Sequence, residues 1–486
     1  MKPIGLQRLA GFALAVMIAG APLGALAQTA ATNAATSNTA AATNTAAPAN
    51  TATAAAPAAA APSNDATHDY SKDSVNSGDT AWMLTSSVLV LMMTIPGLAL
   101  FYAGMVRKKN ILATLAQSFA ATALITVLWM IIGYSIAFTD GGANNAFIGG
   151  FKYFLLAPLN ADINIASPLA PTIPETVYMF FQMTFAIITP ALIAGALADR
   201  MKYSAFLLFM GAWLLLVYCP IAHWVWGNGW LGKAGALDFA GGTVVHLNAG
   251  TAGLVAALML GKRKGLGSEN MAPHNLAYSV IGASLLWVGW FGFNAGSAVE
   301  SHDGQAGMAA AATQIATAAA ALAWMFAEWV VAKKPSVLGM VSGAVAGLVA
   351  ITPASGFVNP TGALIIGFAA GVVCYLAAVH MKKALGFYDD ALDCFGVHGV
   401  GGALGALMTG MFASHAINSA AHGWLIDHNI DQMKLQAEDI GATFFYCGAM
   451  TFVILLAIKY TVGLRVSEEV EVEGLDINLH GEVVQA

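Results

Sequence analysis

The sequence predicts an all-α polytopic membrane protein, in which eleven transmembrane helices form two inverted five-helix repeats and one C-terminal helix. Of the 486 residues, 58% are apolar and 9% are charged, whereas a soluble domain carries about 25% charged residues. Eleven apolar runs are long enough to cross a bilayer. Two runs open on the same spacing, because Asp238 precedes His246 by eight residues and Asp390 precedes His398 by eight.

Two segments precede the first apolar run. Residues 1–27 have the features of a signal peptide, with Lys2 and Arg8 around the start of an apolar stretch and a small-residue cleavage site at residues 25–27. An uncleaved extra helix is the alternative, although the apolar stretch is short for a span. Residues 28–79 are rich in Ala, Thr, Asn and Pro and have too few large apolar side chains to form a core, so we expect a disordered periplasmic linker.

The predicted membrane domain covers residues 80–465, and residues 466–486 form a C-terminal tail. The acidic stretch that opens this tail, residues 467–473, is a candidate for docking on neighbouring loops, and a bare tail is the alternative. The eleven apolar runs are 81–105, 111–138, 174–199, 203–226, 243–261, 275–298, 308–332, 336–354, 361–381, 396–414 and 439–463.

Lysine and arginine set the orientation of these helices. Alternate loops hold thirteen basic residues, against four in the remaining loops and the N-terminal segment. Because basic loops stay on the cytoplasmic side, the thirteen mark the cytoplasmic face of a bacterial inner membrane. The mature N-terminus is then periplasmic and the C-terminus cytoplasmic, as an odd number of helices requires.

The two histidines at matching places are expected to share one pathway. Five helices per repeat is an odd number, so the second repeat is inverted, and inverted repeats place a transported species near the bilayer midplane. Ionisable groups inside a bilayer are costly and indicate function by default. A hydrogen-bonded packing role is the alternative for one histidine in an apolar helix, and the matched positions of His246 and His398 weaken it.

Aromatic side chains and one hydroxyl gather on helices three, four and six. They are Phe181, Phe185, Trp226, Trp290, Phe293 and Ser297. The last three share one helical face, since they are spaced at i, i+3 and i+7. Aromatic faces attract cations by about 0.5–2 kcal/mol, which indicates a cation site. An interfacial aromatic belt is the alternative, because tryptophan is common at membrane edges.

Enzyme motifs are missing from the sequence. It has no P-loop and no HExxH, and its four cysteines form no CxxC pair. We therefore predict no enzyme activity, no cofactor and no nucleic-acid partner. The adjacent Asp199 and Arg200 are interpreted as a local ion pair or an anchor rather than a site. Solvated or capping roles are expected for seven further histidines, His223, His274, His380, His415, His422, His428 and His480.

Three motifs that lie far apart in the chain identify a family. They are Asp238 to His246, Gly289 to Ser297, and Phe395 to Gly399. All three closely resemble the ammonium transporter (Amt/Mep/Rh) family, specifically its bacterial Amt branch. The resemblance extends from about Thr80 to Gly481 and leaves the long N-terminal segment uncovered.

This resemblance implies three sets of site residues. The outer recruitment site for ammonium consists of Phe185, Trp226, Ser297, Trp290 and Asp238. The gate beneath it consists of Phe185, Phe293 and Phe181. The pore and its proton relay consist of His246, His398 and Thr352. Asp390 and Asp393 match an acidic turn of the family before the tenth helix.

The resemblance further implies uptake of ammonium or ammonia across the bacterial inner membrane. Ammonium binds outside and loses a proton, since an apolar passage favours the neutral species, and ammonia passes the imidazoles, which relay the proton. Either electroneutral or charge-carrying transport fits this scheme. The implied partners are further copies of the chain in a homotrimer with one pore per protomer, and a PII-type nitrogen regulator at the cytoplasmic face.

Two other classes of function are weighed against uptake. The first is an ammonium sensor or transceptor, which signals through the PII-type regulator. The second is an intramembrane metalloprotein or enzyme that uses the two histidines. Two nitrogen ligands make a poor zinc site, since zinc usually takes three or four protein ligands.

Overall fold

The computed structural model describes residues 75–484. The predicted signal peptide and all but the last five residues of the predicted linker lie outside this range. The first helix begins at Ser77, because the side chain of Asn76 accepts hydrogen bonds from the N–H groups of Gly78 and Asp79. The predicted end of the linker at residue 79 is therefore wrong by three residues.

The eleven predicted runs correspond to eleven apolar helices in the described part of the chain. Ten of these are long and apolar enough to cross a membrane, and the eighth is shorter. In chain order they are α1 Ser77–Met105, α2 Lys108–Phe138, α3 Glu175–Leu197, α4 Tyr203–Ala234, α5 Gly242–Leu260, α6 Leu276–Gly296, α7 Gln305–Ala332, α8 Val337–Ile351, α9 Pro360–Leu385, α10 Phe395–Phe412 and α11 Asp431–Thr461. The polytopic all-α fold is thus confirmed.

Short elements connect or follow the long helices. A two-stranded antiparallel sheet, β1 Ala166–Ser167 and β2 Ala170–Pro174, precedes α3. A turn after Val225 interrupts α4 before its short last segment, Trp230–Ala234. The remaining short helices are Gly142–Asn144, Phe154–Asn160, Trp424–Asp427, Glu468–Glu473 and Asp476–His480.

Helices α5 and α10 begin in the same way. Each opens with a π-helical turn that carries the histidine, Gly242–Leu247 in α5 and Phe395–Gly399 in α10. An aspartate four or five residues before the turn accepts hydrogen bonds from its first backbone N–H groups, which are Asp238 and Asp390 respectively. The same local device therefore sits at the head of the last helix of each predicted repeat.

Glycines bring α5 and α10 into backbone contact. A Cβ added at Gly250 would lie 2.2 Å from the backbone nitrogen of Gly399, and one added at Gly402 would lie 2.5 Å from the carbonyl oxygen of Gly242. Small residues at a helix crossing allow such approach in membrane proteins. The approach matters for the site because His398 directly precedes one of these glycines.

The ion pair predicted between Asp199 and Arg200 is not formed. Asp199 instead accepts a hydrogen bond from Arg107 at 3.1 Å and lies 3.6 Å from a guanidinium nitrogen of Arg263. Arg200 is fully buried and donates to the carbonyl oxygen of Asp389 at 2.6 Å. Adjacent residues on the chain point to different partners here, so sequence adjacency was a poor guide to pairing.

The C-terminal tail packs against the loops at the same end of the helices. Glu471 is 1% exposed and binds the guanidinium of Arg465 at 2.6 Å. Asp476 accepts hydrogen bonds from the N–H groups of Leu112 and Ala113, at 3.0 and 2.8 Å, near the start of α2. The structure therefore has the docked tail rather than the bare one.

A substitution of Gly250 by Ala tests the contact between α5 and α10. The new methyl group would meet backbone atoms of Gly399 that cannot move aside, so we expect a loss of about 1–3 kcal/mol of stability. The measurement is the thermal midpoint of the purified protein in detergent. The control is Gly441→Ala on α11, which has nothing within 4 Å of the new Cβ. Equal midpoints for both variants would contradict the close crossing.

Candidate functional site

The carboxylate of Asp238 closes the first turn of α5. Its Oδ1 accepts hydrogen bonds from the N–H groups of Gly241 and Gly242 at 2.8 and 2.5 Å, and its Oδ2 accepts from those of Thr243 and Val244 at 2.9 and 3.0 Å. These are donors that a helix N-terminus leaves without internal partners, and the helix dipole favours an anion there. The side chain is 4% exposed, so this cap is shielded from water.

The same residue also holds an aromatic ring. The indole N–H of Trp226 donates to the backbone carbonyl of Asp238 at 2.8 Å. This bond fixes Trp226 with its ring 5.8 Å from that of Phe185 and at 89° to it. The helix cap and the predicted recruitment site are therefore one connected structure.

Phe185 and Phe293 are stacked as the sequence analysis expects. Their ring centroids lie 4.1 Å apart at an interplanar angle of 27°, and both rings are almost fully buried. Phe181 lies 4.9 Å from Phe185 on the other side. No atom fits between two rings at 4.1 Å, as the predicted gate requires.

Below the phenylalanines the stack continues into the histidines. The imidazole of His246 lies 5.9 Å from the ring of Phe293 and 5.3 Å from that of Trp290, nearly parallel to both. It lies 5.3 Å from the imidazole of His398 at an angle of 25°. Four helices thus contribute one continuous stack of rings that runs from Phe185 to His398.

The two histidines share one hydrogen bond. The Nδ1 atoms of His246 and His398 lie 3.3 Å apart, so one of them carries the proton and the other accepts. Both side chains are buried. Within the described part of the chain, Nε2 of His246 has no hydrogen-bond partner. That nitrogen is free to accept or donate, depending on which imidazole holds the shared proton.

Two predicted residues act on their neighbours. Thr352 accepts a hydrogen bond from the indole N–H of Trp290 at 2.9 Å and donates to the carbonyl of Leu348. The hydroxyl of Ser297 donates to the carbonyl of Phe293 at 2.8 Å, which leaves its lone pairs available. Thr352 therefore orients Trp290, and Ser297 offers an acceptor at the end of α6.

Comparisons with known proteins match the membrane helices and the C-terminal tail. A profile of the Ammonium Transporter Family matches residues 81–485. The chain belongs to the ammonium transporter family. It is 48% identical to an ammonium transporter of Bacillus subtilis over 83% of this chain and 98% of that protein. It is 50% identical to an ammonium transporter of Aquifex aeolicus over 85% and 94% of the two chains.

Solved structures of the family have the same fold. Mep2 of Saccharomyces cerevisiae superposes with a TM-score of 0.76 at 36% identity, over 82% of this chain and 90% of that one. A protein described as "Sensor Amt Protein" gives 0.74 at 28% identity, over 83% and 98%. The relatives are named as transporters and not as enzymes. The prediction that this member of the ammonium transporter family is not an enzyme is therefore confirmed.

Asp390 is the counterpart of Asp238 in the other repeat, with a different environment. It accepts only two backbone hydrogen bonds, from Cys394 at 3.0 Å and Phe395 at 2.7 Å. Burial and the nearby charge of Asp393 raise the pKa of Asp390 to about 6. The two repeats therefore use the same cap, and only the one beside the aromatic site is saturated with donors.

A metal at the histidine pair finds no support in the geometry. In residues 75–484, three potential metal ligands lie close together at Asp79, Glu300 and His302. This group includes neither His246 nor His398. The pair thus lacks the third and fourth ligand that a zinc site takes.

Two buried polar residues were missed or misread in the sequence. His223 was expected to be solvated or capping, but it is fully buried and its ring nitrogens lie 2.9 and 2.8 Å from the carbonyls of Ala137 and Asn145. Asp439 was taken as the first residue of the eleventh run, whereas α11 begins eight residues earlier. The sequence did carry a signal for Asp439, because it lies on one helical face with three other buried polar residues, Gln432, Gln436 and Thr443.

Substitution of the two capping aspartates distinguishes their environments. Asp238→Asn places an amide NH₂ against backbone donors and leaves at least one unpaired, at a cost of about 1–3 kcal/mol. Asp390→Asn disturbs only two such bonds, so we expect it to lower the thermal midpoint less. The measurement is thermal unfolding of both variants in the same detergent at neutral pH. A larger loss for Asp390→Asn would contradict the unequal saturation of the two caps.

Proposed function

We propose that this family member takes up ammonium across the bacterial inner membrane, releases its proton and passes ammonia along the histidine pair. The observation that carries the proposal is the single stack of rings from Phe185 through Phe293 and His246 to His398. It joins a cation-attracting surface to a pair of groups that exchange protons. The names of the relatives at 48–50% identity agree with ammonium as the substrate.

Recruitment rests on Trp226, Phe185 and Ser297. Trp226 and Ser297 are partly exposed, whereas Phe185 is buried, so the site lies at the edge of the protein interior. Ammonium carries four N–H donors, and an aromatic face stabilises a cation by about 0.5–2 kcal/mol. The lone pairs of the Ser297 hydroxyl accept one donor. Ring faces and hydroxyl together replace part of the hydration that the cation loses.

Asp238 supports this site without binding the cation. Its two carboxylate oxygens already accept four backbone N–H groups and one hydroxyl. No lone pair is left facing an incoming ligand. Asp238 therefore contributes a negative charge at a fixed position near the aromatic rings, and it orients Trp226.

Passage then requires the gate to open and the cation to lose its charge. Phe185 and Phe293 must rotate apart, since the stacked rings leave no channel. Beyond them the path is lined by apolar rings and by imidazoles, and such surroundings favour the neutral species of an ionisable ligand. Ammonia, with one lone pair and three N–H groups, is able to pair with the donor and acceptor nitrogens of His246 and His398.

The imidazole pair is suited to receiving the proton. One Nδ1–H lies between the two rings, and in the neutral pair the ring that donates it has a bare Nε2 while the other ring carries a proton on Nε2. A proton taken up at Nε2 of His246 makes that ring an imidazolium, which passes its Nδ1 proton to Nδ1 of His398. His398 then releases its own Nε2 proton, and the pair is neutral again with the roles of the two Nε2 atoms exchanged. Trp290 keeps His246 in the stacking plane during this exchange.

Orientation and partners belong to the same proposal. The asymmetry of lysine and arginine supports a cytoplasmic C-terminal tail, and the docked tail would offer an ordered surface there to a PII-type regulator. Family resemblance supports a homotrimer with one pore in each protomer. A sensor role has less support, because the relative described as a sensor is 28% identical whereas the named transporters are 48–50% identical.

Replacement of both pathway histidines tests the role of the pair. We expect His246→Ala with His398→Ala to abolish ammonium uptake by proteoliposomes while the thermal midpoint stays near that of the wild type. Uptake is measured from internal pH, and the current on a solid-supported membrane after an ammonium jump reports net charge. A wild-type current that the double variant lacks would support the relay.

The matched control is a second stacked histidine pair on the surface. His415 and His422 lie 4.6 Å apart at 14°, both exposed. Alanine at both of these positions is expected to leave uptake unchanged. A folded double variant of His246 and His398 with wild-type uptake would contradict the proposed pathway.

A further inference from the structure

A second carboxyl group reaches the head of α5 from α11. Oδ2 of Asp439 lies 2.8 Å from the hydroxyl oxygen of Thr243, and the same hydroxyl lies 2.7 Å from Oδ2 of Asp238. All three side chains are buried. Thr243 therefore bridges two carboxyl groups inside the protein.

If both carboxyl groups were ionised, this bridge would have too few hydrogens for its two oxygen–oxygen contacts. A threonine hydroxyl has one hydrogen to donate. With two carboxylates, one of the contacts at 2.7 and 2.8 Å would join two acceptors with no hydrogen between them. In addition, two buried carboxyl groups that lie this close together repel each other when both are ionised. One of the two carboxyls must hold a proton.

The surroundings decide which one. Asp238 accepts four backbone N–H bonds in addition to the hydroxyl, and such donors stabilise the ionised form. Within residues 75–484, no backbone N–H donates to the carboxyl group of Asp439. Its other contact is the hydroxyl of Thr443 at 3.4 Å. None of the ion pairs among residues 75–484 involves Asp439.

We propose that Asp439 is a positioning residue of the pathway, which carries a proton on Oδ2 and donates it in a hydrogen bond to Thr243. Thr243 then gives its only hydrogen to Asp238. The head of α5 therefore holds one negative charge, on Asp238, and that carboxylate is fixed by a fifth hydrogen bond.

This arrangement reaches the aromatic site through the backbone. The carbonyl of Asp238 holds the indole of Trp226, so an Asp238 that shifts moves the ring facing Phe185. The effect on transport rests on the proposed function. The location of the proton does not, because it follows from the hydrogen-bond geometry alone.

Infrared difference spectroscopy of the membrane-reconstituted protein tests the location of the proton. We expect the wild type to show a carbonyl band of a protonated carboxylic acid that shifts in D₂O and is present at about pH 6, where an exposed aspartate is ionised. Asp439→Asn should lack this band. The control Asp431→Asn on the same helix should retain it, since Asp431 is 72% exposed and paired with Lys434. Absence of the band in the wild type at that pH, or its retention in Asp439→Asn, would overturn the proposal.

Ammonium uptake by the same variants tests the positioning role. The amide of Asn is able to donate to Thr243, so Asp439→Asn should keep the half-saturating ammonium concentration within about twofold of wild type. Asp439→Leu removes the donor at similar volume and should raise it by up to about tenfold, the equivalent of one hydrogen bond. Equal losses in both variants would overturn the positioning role. If the wild type takes up no ammonium, the proposed function fails while the infrared result still stands.

Discussion

The cap that the Asp238 carboxylate places on α5 is the interaction on which both the histidine helix and the aromatic site depend. A helix that begins inside an apolar protein must satisfy its first N–H groups without water, and an unpaired buried donor costs about 1–3 kcal/mol. Four such donors converge on this one side chain. The backbone of the same residue binds Trp226, so the start of the histidine helix and the orientation of the outer ring have a common origin.

The stack of rings depends on backbone approach as much as on ring chemistry. His246 and His398 come from different helices, and their Nδ1 atoms meet at 3.3 Å only because α5 and α10 touch at Gly250 and Gly399. A methyl group added at Gly250 would overlap the backbone of Gly399 and push the two helices apart. The small-residue positions, which looked like ordinary packing in the sequence, therefore set the distance on which proton sharing depends.

The length of the apolar runs predicted the membrane helices, because runs of spanning length leave few alternatives in a bilayer. The histidine pair and the phenylalanine stack also came from the sequence, through matched spacing and family motifs. Partners across the fold did not. Asp199 pairs with Arg107 rather than its neighbour, and His223 joins two carbonyls from distant segments. Such contacts carry no periodic signal, and Asp439 was hidden by the polar first turns of α11, which the hydropathy pattern left outside the helix.

The two repeats show how one backbone device serves two electrostatic purposes. Both caps place a carboxylate at a helix start eight residues before a histidine. At the Asp238 end, five hydrogen bonds saturate the carboxylate, and in the proposed function its remaining effect is the long-range attraction of a cation toward the aromatic site. At the Asp390 end, two bonds leave the group less stabilised, and Lys382 donates to its backbone carbonyl at 3.0 Å while pairing with Asp393. The two helix caps are thus alike in backbone geometry and unlike in electrostatic surroundings, although the histidine pair that they flank is nearly symmetric.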